Sequence, residues 1–188
     1  MIRIVALWSF VVLIALSTFH TSCGSSAPEL TQRDSLVMII DSLEKRIEAN
    51  KAANKLDLSL ASAMVSAYDK FTRKYPKDSI GAEYLYRAAD ISGNALQQFQ
   101  QSASAYERII FEYPAYPKMP EALFLAGFTY QDKLNNGVKA KEYYDKLLEK
   151  YPTHDLADDA KAMISFFGKT DEQIIEEFEK KNQEKMNK

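Results

Sequence analysis

One short stretch occurs three times in the chain, and its repetition constrains the fold more than any other feature. Each copy has a tyrosine, an apolar residue three positions later and a Tyr-Pro pair that begins seven positions later, and successive copies are 38 residues apart. These spacings place the side chains on one stripe of an α-helix rather than on one face of a strand. The proline ends the helix, because it disfavours helical dihedral angles at the preceding residue and has no amide hydrogen to donate. The repeat therefore predicts stacked helical units. The first tyrosines of the copies are Tyr68, Tyr106 and Tyr144.

Apolar spacing and cap signals predict an all-α fold. No segment shows sustained alternation of polar and apolar residues, so we expect about eight helices in antiparallel pairs and no strands. On the second helix, one face carries Leu60, Met64, Tyr68 and Phe71, which we expect in the core. Cap and turn signals place the helix starts at or just after Thr31, Leu56, Asp78, Leu96, Pro120, Val138, Thr153 and Thr170.

Turns and the chain end show further local signals. Gly93-Asn94 is expected to supply the left-handed residues that end the third helix, and Asn135-Asn136-Gly137 is expected to form the turn of the third hairpin. Thr170 and Gln173 have the spacing of a capping box, and the helix that follows is expected to fray from Lys180.

The first part of the chain differs in composition from the rest. Ile4 to Leu16 is an apolar run of about 13 residues, which is too short to span a membrane as a helix and indicates a secretory signal. Cys23 is the only cysteine, and it follows two small residues, so the segment resembles the lipobox of bacterial lipoproteins. That resemblance implies a lipid on Cys23. The alternative is a plain signal peptide with an incidental cysteine.

These observations divide the chain into four parts. We expect a lipoprotein signal peptide at 1–22, a lipidated tether at 23–30, a repeat domain at 31–168, and a C-terminal capping helix with its tail at 169–188. The 188 residues carry a formal net charge of −2, and no basic cluster suggests a nucleic acid as partner.

The third hairpin resembles a tetratricopeptide repeat. Leu123, Ala126, Gly127 and Tyr130 match the first helix of that motif, and a second set matches its second helix. The resemblance implies a right-handed α-solenoid of antiparallel helix hairpins, with a concave face formed by the first helices. Small residues let the helices approach closely, and aromatic side chains fill the space between them. The second-helix matches are Ala140, Tyr144, Leu147 and Pro152.

The long repeat and its Tyr-Pro ending also look like bacterial envelope proteins of the BamD and CpoB type. This resemblance implies a scaffold for protein–protein interactions at the periplasmic face of the outer membrane, serving outer-membrane protein assembly or envelope maintenance. The absence of an acidic run after Cys23, and Gly24 directly after it, favour this location over the cell surface or inner membrane. The alternative is a surface-exposed or periplasmic module that binds a peptide or another soluble ligand.

Carried over position by position, the motif predicts a groove for envelope proteins or peptides. Aromatic and acidic residues at these positions suit a segment with apolar anchors and some positive charge. The alternative is that a terminal helix of the chain itself fills the groove, so that the aromatic residues are core. The predicted groove residues are Tyr86, Asp90, Glu121, Phe124, Phe128, Gln131, Asp159 and Phe166.

The sequence offers little for catalysis. After the leader, His154 is the only histidine, and no second cysteine is present to complete a zinc site or a Cys/His pair. The acidic pairs Asp158-Asp159 and Glu176-Glu177 are predicted on helices, where adjacent side chains diverge. We therefore expect no enzyme activity, no cofactor, no metal and no small-molecule substrate.

Overall fold

The computed structural model describes residues 31–53 and 57–186. In this part of the chain the fold is all-α, without strands, which confirms the predicted fold class. Two of the helices, α3 and α5, continue directly into five-residue π-helical turns at Ile91–Ala95 and Thr129–Lys133. The α-helices are α1 Gln32–Ala52, α2 Leu58–Lys74, α3 Gly81–Asp90, α4 Phe99–Glu112, α5 Met119–Phe128, α6 Gly137–Lys150, α7 Leu156–Ser165 and α8 Asp171–Met186.

Neighbouring helices pack against each other in chain order from α1 to α7. The pairs α1/α2, α3/α4 and α5/α6 form three hairpins, and each hairpin also packs on the next through α2 with α3 and α4 with α5. The α7 helix covers the last hairpin by contacting both α5 and α6. The result is the α-solenoid of stacked hairpins that the repeat predicts.

The repeated tyrosines occupy the core, as predicted. Tyr68, Tyr106 and Tyr144 are 2%, 4% and 0% exposed. The tyrosine of each Tyr-Pro pair is the C-cap of α2, α4 or α6, and its amide donates to the carbonyl oxygen four residues earlier. The following proline cannot continue this pattern, so each second helix of a hairpin ends at the same point of the repeat.

Gly127 lets α5 and α6 approach closely. A Cβ atom at this position would lie 2.7 Å from Cε1 of Tyr144 and 2.9 Å from its Cδ1. The Tyr144 ring is also flanked by Phe124 and Phe167, at centroid distances of 5.6 and 6.3 Å. The glycine therefore makes room for an aromatic ring that is enclosed on several sides.

Polar caps fix several helix starts. The Asp34 amide donates to Oγ1 of Thr31 over 3.1 Å, which confirms the predicted start of α1. The α2 helix begins at Leu58, two residues after the predicted start at Leu56, because the Asp57 side chain caps it. The capping box before α8 is confirmed. Its two hydrogen bonds are Thr170 N to Gln173 Oε1 at 3.0 Å and Gln173 N to Thr170 Oγ1 at 3.4 Å.

The end of α3 differs from the prediction. Gly93 and Asn94 are not the left-handed residues, since both lie within the π-helical turn. Chain reversal is delayed to Gln97, which has a φ of 55°, and α4 begins at Phe99 rather than near Leu96. In the third hairpin the predicted turn is present at Asn135, which has a φ of 49°.

Two more boundaries need correction. The Asp78 carboxylate accepts a hydrogen bond from the Ile80 amide within the turn, and α3 starts only at Gly81. The last helix does not end near Lys180 but continues to Met186.

Candidate functional site

A groove of about 670 Å³ opens between α1, α2 and α3. We call it the α1–α3 groove. Its walls come from the second half of α1, the start of α2, the second half of α3 with its π-helical turn, and Lys118 before α5. Its apolar lining consists of Ile47, Leu60, Ala61, Met64, Tyr68, Tyr86, Ile91 and Ala95.

Negative charge dominates the polar lining of this groove. Among its described lining residues, the two cationic side chains Arg87 and Lys118 face five carboxylates. Because both signs lie beside an apolar surface, the groove can hold a segment that combines apolar and charged groups. The carboxylates are those of Glu44, Glu48, Asp57, Glu83 and Asp90.

One polar network joins the three helices at the groove. The Tyr68 hydroxyl donates to Oε1 of Glu44 over 2.6 Å, and Nη1 of Arg87 lies 2.6 Å from the same oxygen. Arg87 also donates through Nε to Glu83 over 3.1 Å. Burial and the hydrogen bond to Glu44 raise the pKa of the Tyr68 phenol above its ordinary range, so it stays a donor at neutral pH. These contacts hold α1, α2 and α3 in register.

Glu83 extends the network to the next hairpin. Its Oε2 accepts from the Tyr116 hydroxyl at 2.7 Å and from Nζ of Lys118 at 3.1 Å. Burial acts to raise the pKa of Glu83, but hydrogen bonds from Tyr116, Lys118 and Arg87 outweigh burial and hold it below its ordinary value. Glu83 is therefore a charged acceptor that three donors share.

Two predicted groove residues, Tyr86 and Asp90, do line the α1–α3 groove. The half-buried Tyr86 ring packs edge-on against Tyr106 at a centroid distance of 5.8 Å, and Nζ of Lys118 lies 5.1 Å from its centroid. Asp90 is exposed at the rim and accepts a hydrogen bond from Asn94 over 2.6 Å.

The predicted residues on α5 and on the π-helical turn that follows it lie further along the solenoid and are half-buried. Phe124 packs on Tyr144, and Gln131 accepts a hydrogen bond from the Tyr144 hydroxyl over 3.1 Å. Both thus contact the core residue that Gly127 accommodates. Oε2 of Glu121 is shielded from solvent and has no hydrogen-bond donor in the described part of the chain. Phe128 is half-buried on the same helix.

The predicted residues on and after α7 lie near the C-terminal end of the solenoid. Asp159 is exposed, and Phe166 packs on Phe178 of α8 with ring centroids 6.2 Å apart. Lys169 also pairs with Glu177 of α8 at 2.6 Å. Of the two terminal helices, α8 therefore lies beside Phe166, and α1 forms one wall of the α1–α3 groove.

Sequence reasoning missed Glu44, Glu83, Arg87, Tyr116 and Lys118. Glu83 and Arg87 have the i, i+4 spacing of a helical ion pair, which could have identified them. Glu44 lies on α1, where the repeat could not be aligned, and Lys118 lies in a loop. No local signal relates either residue to α3.

The structure describes His154 but not Cys23. Nδ1 of His154 accepts from the Leu156 amide over 3.2 Å, in the turn before α7. Among the described residues, no cluster of three or more His, Cys, Asp or Glu side chains could hold a metal ion, and none of the helices there is long and apolar enough to cross a membrane. Cys23 and the predicted signal peptide lie outside the described residues.

Stacked helix hairpins build extended concave surfaces, and those made of tetratricopeptide repeats are typically non-catalytic scaffolds that bind other proteins. The family model described as Tetratricopeptide repeat matches residues 121–154, which cover α6 and nearly all of α5. The match supports a tetratricopeptide-repeat protein and, with it, a protein–protein interaction module. None of the curated proteins matches the chain.

Proposed function

We propose that this protein is a lipid-anchored scaffold of the bacterial envelope that captures a segment of a partner protein in the α1–α3 groove. Its role is outer-membrane protein assembly or envelope maintenance, at the periplasmic face of the outer membrane. The observation that carries the proposal is the groove of about 670 Å³, whose apolar lining is bordered by charged side chains. A cavity of this size can take several side chains of another chain.

The support for the groove comes from the hydrogen bonds that join its walls. Glu44, Arg87 and Glu83 connect its walls through hydrogen bonds of 2.6 to 3.1 Å, and Tyr68 fixes its floor from α2. A partner that enters a preformed groove loses less conformational entropy than one that must order it. The repeat class adds the expectation that the ligand is another protein.

Capture of envelope proteins by groove variants tests whether the groove is the binding site. Envelope proteins would be cross-linked and purified with the wild-type chain, with Asp90→Lys and with a matched variant, Asp158→Lys. Asp158 is an exposed aspartate on α7, outside the groove. We expect Asp90→Lys to lose specific partners that wild type and Asp158→Lys both retain, at an unchanged melting temperature. Equal recovery by all three chains would contradict the groove as the capture site.

The support for the anchor is the sequence around Cys23. We expect Cys23→Ser to prevent lipid attachment and leave an uncleaved or soluble species, as seen by fractionation and intact mass. A processed variant that still enters the detergent phase with the outer membrane would refute the anchor. Recovery of barrel-assembly components, Tol-Pal components or neither would then separate the envelope processes.

A further inference from the structure

One corner of the α1–α3 groove already holds a cation. Nζ of Lys118 lies 5.1 Å from the centroid of the Tyr86 ring and 3.1 Å from Oε2 of Glu83. An aromatic face beside a carboxylate is a favourable environment for an ammonium or guanidinium group. Lys118 reaches this corner from the loop before α5, and its side chain is 47% exposed. The Lys118 ammonium can therefore leave without disturbing a helix.

A second carboxylate adjoins this corner. Oε2 of Glu121 is shielded from solvent and has no donor among the described residues. Glu121 is close enough that its charge adds to burial in raising the pKa of the Tyr86 phenol. A shielded carboxylate oxygen without a donor is unfavourable, and a cation that donates to it would relieve that cost. Glu83 and Glu121 bring two carboxylates to this corner, and the cations Lys118 and Arg87 both pair with Glu83, which leaves Glu121 without one among the described residues.

The rest of the groove has the same bias. Arg87, its other cation, is already paired with Glu44 and Glu83. Among the described residues that line the groove, the carboxylates outnumber the two cationic side chains, so an acidic segment would be repelled and a basic one attracted. The apolar lining beside this corner supplies a place for an aliphatic or aromatic neighbour.

We propose that the α1–α3 groove selects a protein segment with a lysine or arginine next to an apolar residue, and that this cation displaces Lys118 from Tyr86 and Glu83 and donates to Glu121. This proposal rests on the proposed function, because it names the chemistry of the segment that the groove captures. Lys118 is thus an internal competitor that lowers the affinity of the free protein for its ligand.

Synthetic peptides of defined charge test the proposal. The probes are fluorescein-labelled leucine-containing peptides with lysine, norleucine or glutamate at the variable positions, and binding is followed by fluorescence anisotropy. We expect the lysine peptide to bind best and the glutamate peptide worst. Glu121→Gln should weaken binding of the lysine peptide by about three- to tenfold and leave binding of the norleucine peptide unchanged.

The variant Lys118→Ala tests whether the Lys118 ammonium competes with the cation of the ligand. This change should tighten binding of the lysine peptide by about threefold or more, because the displaced ammonium is gone. Lys118 makes no side-chain cap to α5, so the helix start is kept. Lys133→Ala is the matched control, since Lys133 also lies over an aromatic ring, at 5.7 Å from Phe99, with similar exposure but outside the groove. The control should leave peptide affinity unchanged.

The outcomes separate this proposal from the proposed function. Equal binding of lysine and norleucine peptides, or weaker binding after Lys118→Ala, would overturn the cation subsite. The cation subsite would also be overturned if no peptide binds while Asp90→Lys still abolishes capture of envelope proteins. In that case the groove would remain the capture site, but it would recognise a segment of different chemistry. Loss of both peptide binding and groove-dependent capture would overturn both proposals.

Discussion

Replacing Gly127 with alanine tests the close packing on which the solenoid depends. The added Cβ would lie between 2.7 and 3.0 Å from three atoms of the Tyr144 ring, closer than carbon atoms normally approach. The ring has no exposed surface and is flanked by Phe124 and Phe167, so it has little room to move away. Overpacking of a buried site costs about 1–3 kcal/mol.

The substitution also has a favourable effect, which must be subtracted. Alanine is better than glycine inside a helix by about 1 kcal/mol. With three close ring contacts we expect the steric cost to lie in the upper half of its range, which leaves a net loss of about 1–2 kcal/mol. For a chain of this size that corresponds to a melting temperature lowered by about 2–8 °C.

Thermal and urea unfolding followed by circular dichroism would measure the loss. Gly137→Ala is the control, because Gly137 is the first residue of α6 and its Cβ would meet only Phe167, at 3.3 Å. We expect a change within about 0.5 kcal/mol for this variant. In a Tyr144→Leu background, Gly127→Ala should no longer destabilise the protein. Equal losses with and without the ring would refute the packing argument.

Three further predictions concern the core, the electrostatics and a helix start. Tyr106→Ala should cost about 3–5 kcal/mol, because the side chain is 4% exposed, and an unchanged melting temperature would show that it is not enclosed. Glu107 accepts hydrogen bonds from two tyrosines and Lys139. Burial raises its pKa, but these donors outweigh burial and hold it below the ordinary 4.5. Its stabilisation is therefore present above pH 4.5 and lost as the pH falls below it, so Glu107→Gln should flatten the acid side of the stability profile, and an unaltered profile would contradict this. Asp57→Ala should remove the cap of α2 and cost about 1 kcal/mol in urea unfolding, whereas no loss would show that the hydrogen bond from Leu60 contributes nothing.

Much of the fold could be predicted from the sequence because the signals are local and repeated. The spacing from Tyr106 to its Tyr-Pro pair fixes both the buried stripe and the helix end within one segment. Gly127 could be recognised as a packing residue because the repeat places an aromatic residue on the facing helix. In both cases the determining residues lie within one hairpin.

The remaining features depend on contacts between distant segments. The sequence predicts that α3 ends at Gly93-Asn94, but a π-helical turn includes these residues and the left-handed residue is Gln97. The groove corner joins Glu83 and Tyr86 of α3 to Lys118 of the next loop, and no pattern within either segment indicates this meeting. Repeat alignment places residues on helix faces, but it does not show how neighbouring helices close a cavity.

Photo-cross-linking from within the α1–α3 groove tests the central claim most directly. A photoreactive amino acid would replace Ile91, which lines the groove, or Val138, which is 85% exposed on α6 and serves as the control. We predict that illumination of intact cells gives a discrete adduct with one partner protein from position 91 and none from position 138. Mass spectrometry should map the adduct to one segment of that partner. Adducts of equal yield from both positions, or none from position 91, would contradict the claim that this groove captures another protein.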